Sequence, residues 1–491
     1  MAAQQQEETQ DLKSTLDFLG QSVALDTERD LRNARDSLRL FALVIVVSAA
    51  MGVAAWAFLL ALDTVSALRE AQPLFFLLLP PVAVGTAWIY HNYGKRSSKG
   101  NNLVIHSALH GGLIRARMAV LTFCCSVATH LAGGSAGREG AAVQIGGTIA
   151  SNVSTRFKLG QRDHRDLMLA GIAAAFGGMF GTPLAGAFFG MEMCFVGKLE
   201  YSAAVYCLIG SFTGDYVSQL LGSEHAFQRI AHVPSLDWQL IAAVAAAAVV
   251  FGLVARFFSF AIRTVKAFYA ARFSNYLVRA LVGSLVLLAA YALCNGWDYA
   301  GLAEWMVEAG FKGQTSPVDA LLKLIYTALT VGAGFQGGEV TPLFGMGASI
   351  GGWIGETFVD DPSFMAAMGV VAMFGAALNV PVTAIMLGVD MFGGGSAPYY
   401  VIAAFVSYLV AGHRGLYAAQ RIVTPKRRSL SEDESLTVGD AIERHHQEVE
   451  EVVVELADED ADEAPTGDEP AAGPATGPQV AEERKAADAE N

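Results

Sequence analysis

Two long, predominantly apolar runs limit what this chain can fold into more than any other feature of its sequence. Residues 41–62 and 239–262 are each longer than the roughly 20 residues that a helix needs to cross a lipid bilayer. Hydrophobic residues make up 53% of the chain and charged residues only 16%, whereas an ordinary soluble domain has about 25% charged residues. The sequence therefore predicts an all-α protein that crosses a membrane several times, and it argues against a soluble enzyme.

The chain divides into four parts by composition. Residues 1–40 are polar and predict a cytoplasmic N-terminal segment, whereas 41–220 and 236–421 are almost wholly apolar and predict two transmembrane halves. Residues 430–491 contain 20 acidic and 3 basic residues and predict an acidic, disordered cytoplasmic tail. The other 429 residues have 30 basic and 27 acidic side chains, so the formal net charge of −14 gives no information about the substrate.

Short basic breaks in the apolar sequence predict the orientation of the chain. Residues 91–102, 156–165 and 424–429 are rich in Lys and Arg, and such loops lie on the cytoplasmic side. We therefore expect a multi-pass plasma-membrane protein with both termini in the cytoplasm. No dense basic stretch is interleaved with aromatic residues, so no nucleic-acid partner is predicted. The five cysteines have no paired spacing, and neither a cofactor nor a metal site is predicted.

The two halves resemble one another. Residues 170–193 align with 368–391 at an offset of 198, with eight identical or acid-for-acid positions among 24. Pro183 coincides with Pro381 in this alignment. A proline and three glycines at matching places indicate a duplicated chain rather than a chance match.

A second alignment joins the glycine-rich segments of the two halves. Residues 137–147 align with 337–347 at an offset of 200, which places Glu139 on Glu339. Repeated halves with glycine-broken helices at corresponding places are typical of a secondary transporter whose site lies between the repeats. The sequence therefore predicts a transporter made of two repeats with a site at their interface.

The glycine-rich segments carry the chemistry of that site. In the first half, glycines between residues 133 and 140 let the backbone turn sharply before a new helix begins. The second half has a similar break, and Pro342 falls in the first turn, where its missing N–H has no cost. A helix N-terminus offers unpaired N–H groups and a partial positive charge, so inside a membrane it can bind an anion.

Glu139 stands at the first break, where a carboxylate at membrane depth is by default a functional residue. When ionised it could occupy the anion site, and when protonated it could leave, so one residue would gate the path and carry protons. The alternative is that it caps its helix or pairs with Arg138. Glu339 is a second candidate of the same kind, with helix capping as its alternative. Asn101 and Thr341 are polar residues beside the breaks, and each is either an anion ligand or an ordinary cap.

Two motifs resemble those of the CLC family of chloride channels and anion/proton antiporters. GREGA (137–141) is similar to the family motif G-K/R-E-G-P, which makes Glu139 the gating glutamate, and GEVTP (338–342) is similar to G-x-F-x-P. Tyr417, in HRGLYAAQ, matches the tyrosine that caps the central anion. The resemblance implies a homodimer in which each subunit has its own anion pathway. It implies that each subunit consists of two inverted-topology repeats whose broken helices meet at a central anion site. It also implies an anion site formed by Asn101, Gly137, Arg138, Gly140, Ala141, Val340, Thr341 and Tyr417.

Three departures from the family pattern bear on the substrate. Asn101 stands where the family has a pore serine, Val340 replaces the usual aromatic residue, and Met193 falls at the internal proton-handling glutamate, with Glu192 just before it. All three resemble the fluoride-exporting branch of the family. Fluoride is costly to dehydrate, so compact donors such as an amide and a hydroxyl suit it.

The predicted function is therefore fluoride/proton antiport that exports fluoride. A chloride/proton antiporter and a voltage-gated-type chloride channel remain alternatives. A membrane-embedded hydrolase needs a nucleophile and base or a metal pair. The sequence has no HExxH motif, and the acidic residues at membrane depth have no histidine partner, so enzymatic activity is not predicted. The expected partners are a small inorganic anion (fluoride or chloride), protons, the lipid bilayer and a second copy of the chain.

Overall fold

The computed structural model describes residues 2–225 and 227–447, with side chains described from residue 35 onward. In this part of the chain the fold is almost wholly helical, with eight α-helices in each half. The helices of the first half are α1 (Ala2–Ala71), α2 (Leu79–Tyr93), α3 (Asn101–His110), α4 (Arg117–Leu131), α5 (Glu139–Arg156), α6 (Gln161–Phe180), α7 (Pro183–Glu192) and α8 (Ala204–Leu220). Those of the second half are α9 (Trp238–Arg272), α10 (Tyr276–Cys294), α11 (Trp305–Phe311), α12 (Pro317–Gly332), α13 (Val340–Ile354), α14 (Pro362–Leu378), α15 (Pro381–Phe392) and α16 (Ala397–Ala411).

Two strands of two residues each, β1 (Phe195–Val196) and β2 (Arg421–Ile422), pair in parallel. Five helical stretches within the described residues are long and apolar enough to cross a membrane, by length and composition. They are Arg35–Ala71, Pro73–Tyr93, Trp238–Arg272, Tyr276–Cys294 and Gly394–Ala411. The predicted all-α, multi-pass fold class is confirmed.

The shorter helices end at turns that the sequence specifies. Gly181 ends α6 at φ 67°, and Asn379 ends α14 at φ 63°, both in the left-handed region that Gly and Asn adopt most easily. Pro183 and Pro381 then begin α7 and α15, because proline tolerates the first turn and cannot continue the preceding helix. The same break thus recurs in both halves at the predicted offset of 198.

Packing in the two halves also follows one plan. Helix α5 packs on α6 as α13 packs on α14, and α7 packs on α15 between α8 and α16. Gly146 of α5 faces the backbone of Gly171, and Gly347 of α13 faces that of Gly369, so a side chain at either place would overlap a carbonyl group. Glycine at these positions lets the paired helices approach more closely than other residues would permit.

The register of the glycine-rich repeat differs by one residue from the prediction. Gly137 and Gly338 exchange two backbone hydrogen bonds of 2.6 Å each as an antiparallel pair. Helix α5 begins at Glu139 and α13 at Val340, so the offset is 201, and Glu139 corresponds to Val340 rather than to Glu339. The sequence identity of two glycine-rich segments is almost the same when one segment is shifted by one residue. The correct register is therefore known only from the residues at which the two helices begin.

The predicted tail of 430–491 is wrong in its first residues. A short 3₁₀-helix spans Arg428–Asp433, and Leu436 then pairs with Ile422 of β2 through a backbone hydrogen bond of 2.9 Å. Val438 and Ala441 are fully buried in a small apolar cluster. Apolar residues at these intervals are enough to fix the segment in spite of its acidic composition. Residues 448–491 of the predicted tail lie outside the described residues.

Candidate anion site

The two broken helices bring their N-termini together at the centre of the fold. Helices α5 and α13 begin just after Gly137 and Gly338, which are paired with one another, so their free N–H ends converge. A Cβ atom on Gly338 would lie 2.7 Å from the backbone nitrogen of Gly140, and therefore only glycine allows this approach. Two converging helix N-termini provide the partial positive charge that the sequence predicts for an anion site.

Glu139 reaches from its own helix to the other one. It is 2% exposed, and its carboxylate accepts hydrogen bonds from the backbone N–H of Thr341 at 3.1 Å and from the hydroxyl of Thr341. Arg138 does not pair with it but lies 3.3 Å from Glu304. The start of α5 has no side-chain cap. The carboxylate of Glu139 thus occupies the donors at the N-terminus of α13 that the sequence predicts for an anion.

Asn101 and Tyr417 line a common cavity. Asn101 begins α3, and its Nδ2 atom lies 3.1 Å from where a Cβ on Gly140 would stand. Tyr417 is 3% exposed, with its hydroxyl beside the side chain of Asn101. The loop that carries Tyr417 is held by Asn102, whose Oδ1 accepts from the backbone N–H of Ala419 at 2.9 Å.

Glu339 lies at the edge of the same cavity, which has a volume of about 590 Å³. Its side chain is half-buried and makes no capping hydrogen bond to α13. Lys266 of α9 lines the cavity as well and acts on the Glu339 carboxylate through its positive charge. Glu339 therefore faces the path that leads to the site, and the predicted alternative of helix capping does not describe its contacts.

Four predicted anion-site residues do not point a side chain at the centre. Ala141 packs in a cluster with Met51 of α1, and Val340 packs in the main hydrophobic core. Gly137 contributes its backbone to the pair with Gly338, and the guanidinium of Arg138 contacts Glu304. Any role of these four residues toward an anion rests on their backbone or on their charge at a distance, and it stays a prediction.

Two polar side chains near the site were not predicted. Gln144 of α5 lines the 590 Å³ cavity, and its Oε1 accepts from the hydroxyl of Thr122 at 2.9 Å. A lone glutamine in an otherwise apolar helix start, GREGAAVQ, is the sequence feature that could have indicated it. Glu304 lies in a loop before α11 without any motif around it, so only the folded chain brings it to Arg138.

His130, the histidine nearest to the first break in sequence, binds the backbone and no carboxylate. Its Nδ1 atom lies 2.8 Å from the carbonyl oxygen of Ser126, and its Nε2 atom lies 3.2 Å from that of Ala136. The ring is fully buried and links α4 to the chain break that precedes α5. Its contacts fix the approach to Gly137, and they do not form an acid–base pair with Glu139.

The sequence matches the family model described as "Voltage gated chloride channel" over residues 82–412. The chain belongs to this family. A chloride/fluoride channel protein of Pseudomonas syringae pv. tomato is 36% identical over 401 residues, which cover 80% of this chain and 88% of that protein. An H(+)/Cl(−) exchange transporter of Vibrio cholerae is 24% identical over 275 residues, which cover 52% of this chain and 58% of that protein.

Solved structures agree with the family assignment. A crystal structure of a CLC-type fluoride/proton antiporter superposes with a TM-score of 0.76 and 33% identity, covering 78% of this chain and 98% of that one. A slow cyanobacterial Cl−/H+ antiporter superposes with a TM-score of 0.65 at 19% identity, which shows the fold alone. The predicted family and CLC-like fold are confirmed, and the function of the chain is anion transport of the CLC type.

Proposed function

We propose that the chain exchanges fluoride for protons and exports fluoride from the cytoplasm. The observation that carries the proposal is the contact between Glu139 and Thr341, in which a carboxylate from one repeat occupies the anion donors of the other. An ionised carboxylate and a small anion compete for these donors, because both need the same N–H and O–H groups. Binding of the anion and release of the carboxylate are therefore two parts of one exchange.

Protonation of Glu139 couples the exchange to protons. A neutral carboxyl group has lost the charge that holds it at the N-terminus of α13, so the anion displaces it more easily. The carboxyl can then give up its proton on the other side and return. A single buried side chain thus carries protons one way while its departure admits an anion the other way.

Two donors favour fluoride as the anion. The hydroxyl of Thr341 and the amide of Asn101 are compact donors beside the converging helix ends, and they can replace part of a tightly held hydration shell. The relative named as a chloride/fluoride channel protein and the solved fluoride/proton antiporter support the same substrate. In this proposal Asn101 and Thr341 bind the anion, and Glu339 and Tyr417 border its path from the cytoplasm.

Flux from proteoliposomes tests the proposal. The purified chain is reconstituted in vesicles loaded with fluoride or chloride, and an ion-selective electrode and a pH electrode record anion and proton movement together. The wild type should move fluoride faster than chloride with opposite proton flux. Glu139→Gln should lose proton flux, because no titratable group remains at the gate. Glu308→Gln, at an exposed residue that pairs with Lys312, is the matched control and should behave as the wild type.

Two results would contradict parts of this proposal separately. Proton-coupled exchange at the wild-type rate in Glu139→Gln would show that the gate lies elsewhere. A wild type that moves chloride as readily as fluoride would remove the fluoride assignment and leave a general anion/proton antiporter.

The assembly proposed is a homodimer in the plasma membrane with both termini in the cytoplasm. The layer formed by α7, α8, α15 and α16 supports a partner surface, since α8 exposes Val205, Phe212 and Tyr216 and α16 exposes Val401 and Phe405. Lipid could cover the same side chains. The number of photobleaching steps of labelled chains in liposomes shows whether one or two subunits are present. A reporter fused to the C-terminus shows on which side of the membrane the C-terminus lies.

A further inference from the structure

Two cavities of opposite charge reach the sequence neighbours of Glu139, since one contains Glu304, which pairs with Arg138, and the other contains Asn101, which lies beside Gly140. One is the cavity of about 590 Å³ that reaches Asn101 and Tyr417. The other has a volume of about 760 Å³ and is lined by Glu304, which pairs with Arg138 next to the gate. We call them the basic vestibule and the acidic vestibule, after the charges that line them.

Among the described residues, the basic vestibule has four cations and one carboxylate in its lining. The cations are Lys95, Lys99, Lys266 and Arg279, and the carboxylate is Glu339. Lys95 and Lys99 belong to the basic break between α2 and α3, which the positive-inside rule places on the cytoplasmic side. An anion that leaves the cytoplasm passes through this vestibule before it reaches the site.

The acidic vestibule has the reverse composition in the part of the chain that the structure describes. Four carboxylates, those of Asp63, Glu70, Asp298 and Glu304, line it together with one guanidinium, that of Arg69. It lies at the junction of α1 and α2, and α2 is about 22 Å long at 1.5 Å per residue. Since the basic break follows the far end of α2, the two vestibules open to opposite sides of the membrane.

We propose that this charge difference sets a direction-dependent affinity for the anion, and the inference rests on the proposed fluoride/proton exchange. A cleft lined by one sign of charge raises the local concentration of the opposite ion and lowers that of the same ion. The basic vestibule collects fluoride from the cytoplasm. The acidic vestibule disfavours its return and concentrates protons near the gate.

Fixed charges cannot change the transport equilibrium of fluoride and protons, because the ion gradients set it. They change the apparent KM for the anion on each face of the membrane. The anion KM is therefore lower on the cytoplasmic face than on the outer face. The difference is electrostatic at long range, so it weakens as added salt shortens the Debye length from about 30 Å at 0.01 M to about 3 Å at 1 M.

Charge reversal at one vestibule tests the inference. Lys95→Glu changes the basic vestibule by two charges, and Arg96→Glu makes the same change at an exposed neighbour that does not line it. Initial fluoride uptake is measured in inside-out membrane vesicles, which present the cytoplasmic face, and in right-side-out vesicles. At about 0.01 M ionic strength Lys95→Glu should raise the cytoplasmic-face KM about threefold, as expected for two unit charges about 10 Å from the anion in water.

The controls separate this inference from the proposed function. Arg96→Glu should raise the KM by a smaller factor than Lys95→Glu, because its side chain lies outside the basic vestibule, and the effect of Lys95→Glu should disappear at about 0.5 M salt. In right-side-out vesicles Glu70→Lys should lower the fluoride KM by a similar factor, whereas Glu308→Lys, at an exposed residue that does not line the vestibule, should lower it less.

Equal fluoride KM values for Lys95→Glu and Arg96→Glu would overturn the inference. A change in the KM of Lys95→Glu that persists at high salt, or that is found on the outer face, would overturn it as well. Each of these results leaves wild-type fluoride/proton exchange intact. A wild type that moves no fluoride in either preparation would instead overturn the proposed function, and the inference with it.

Discussion

Glu192 and Asp390 cap each other's helices. Glu192, at the end of α7, accepts hydrogen bonds from the first turn of α15, and Asp390, near the end of α15, accepts one from the first turn of α7. The carboxylate of Glu192, at the end of α7, accepts from the backbone N–H of Val382 at 3.2 Å and of Thr383 at 2.8 Å in α15. Asp390, near the end of α15, accepts from the backbone N–H of Ala185 at 2.9 Å in α7. The two helices are therefore antiparallel, and each repeat caps a helix of the other.

This reciprocal capping predicts a loss of stability without a change of substrate. Hydrogen bonds to a charged acceptor contribute about 1.5–3 kcal/mol each, and an N-terminal cap contributes about 0.5–2 kcal/mol. Glu192→Gln and Asp390→Asn should each lower the free energy of unfolding by about 1–2 kcal/mol. Thermal unfolding in detergent measures this loss, and fluoride and proton flux should keep their wild-type ratio.

Glu308→Gln is the control for these variants, since Glu308 is exposed and pairs only with Lys312. A surface pair of this kind contributes about 1 kcal/mol at most. If Glu192→Gln were to change the proton-to-fluoride ratio while stability stayed the same, Glu192 would belong to the proton path and not to the helix cap.

Asn101 and Thr341 predict how selectivity responds to single donors. Asn101→Ser restores the family's usual pore residue and should move the fluoride-to-chloride rate ratio toward chloride. Thr341→Val keeps the side-chain shape and removes the hydroxyl that contacts Glu139. A lost charge-assisted contact of about 1.5–3 kcal/mol corresponds to a change of about tenfold or more in the ratio.

The control for this pair is Thr148→Val, because the hydroxyl of Thr148 bonds within α5 to the carbonyl of Gln144 and lies outside the anion site. Both anions are measured in the same proteoliposomes, together with thermal stability. Variants at Asn101 and Thr341 that lose stability while the anion ratio stays constant would show that the two residues only cap helices.

Sequence patterns predicted the fold class correctly, because apolar length and helix breaks depend on local chemistry, and the same patterns underlie the site residues that stay a prediction. Apolar length predicts spans, glycine followed by proline predicts helix breaks, and a carboxylate in apolar sequence predicts a gate such as Glu139. The contact of Glu139 with Thr341 joins residues 202 positions apart in sequence. The pairing of Arg138 with Glu304 is likewise non-local, so no pattern in either segment could indicate it.

The close contact of α13 with α14 predicts that glycine is required at Gly347. A methyl group there would overlap the carbonyl of Gly369, so Gly347→Ala must push α13 away from α14 and shift Thr341 at its N-terminus. Overpacking of this kind costs about 1–3 kcal/mol. Gly347→Ala should lower both stability and fluoride flux, whereas Gly394→Ala, where a Cβ meets no close neighbour, should change neither. Wild-type flux and stability in Gly347→Ala would contradict this packing argument.

The segment that follows the last transmembrane helix holds the loop of Tyr417 in place. Backbone N–H groups of Val438 and Gly439 donate to the carbonyls of Gln420 and Ala418, each at 2.9 Å. These bonds lie one to three residues from Tyr417 along the chain. Removing the segment leaves buried backbone groups without partners, and such groups are costly.

Two truncations distinguish this segment from the acidic residues beyond it. A chain that ends after residue 447 should keep fluoride/proton exchange, since it retains Val438 and Ala441 in their buried cluster. A chain that ends after Arg428 loses the bonds to the Tyr417 loop, so we expect at least a tenfold lower fluoride rate or no folded protein.

Val438→Asp in the full chain separates these outcomes, because it disturbs the buried cluster without removing any backbone. It should slow fluoride exchange and lower the melting temperature, whereas Glu434→Gln, at an exposed residue of the same segment, should do neither. Full exchange in the chain that ends after Arg428 would show that the Tyr417 loop is held by its contacts with α3 and α14 alone.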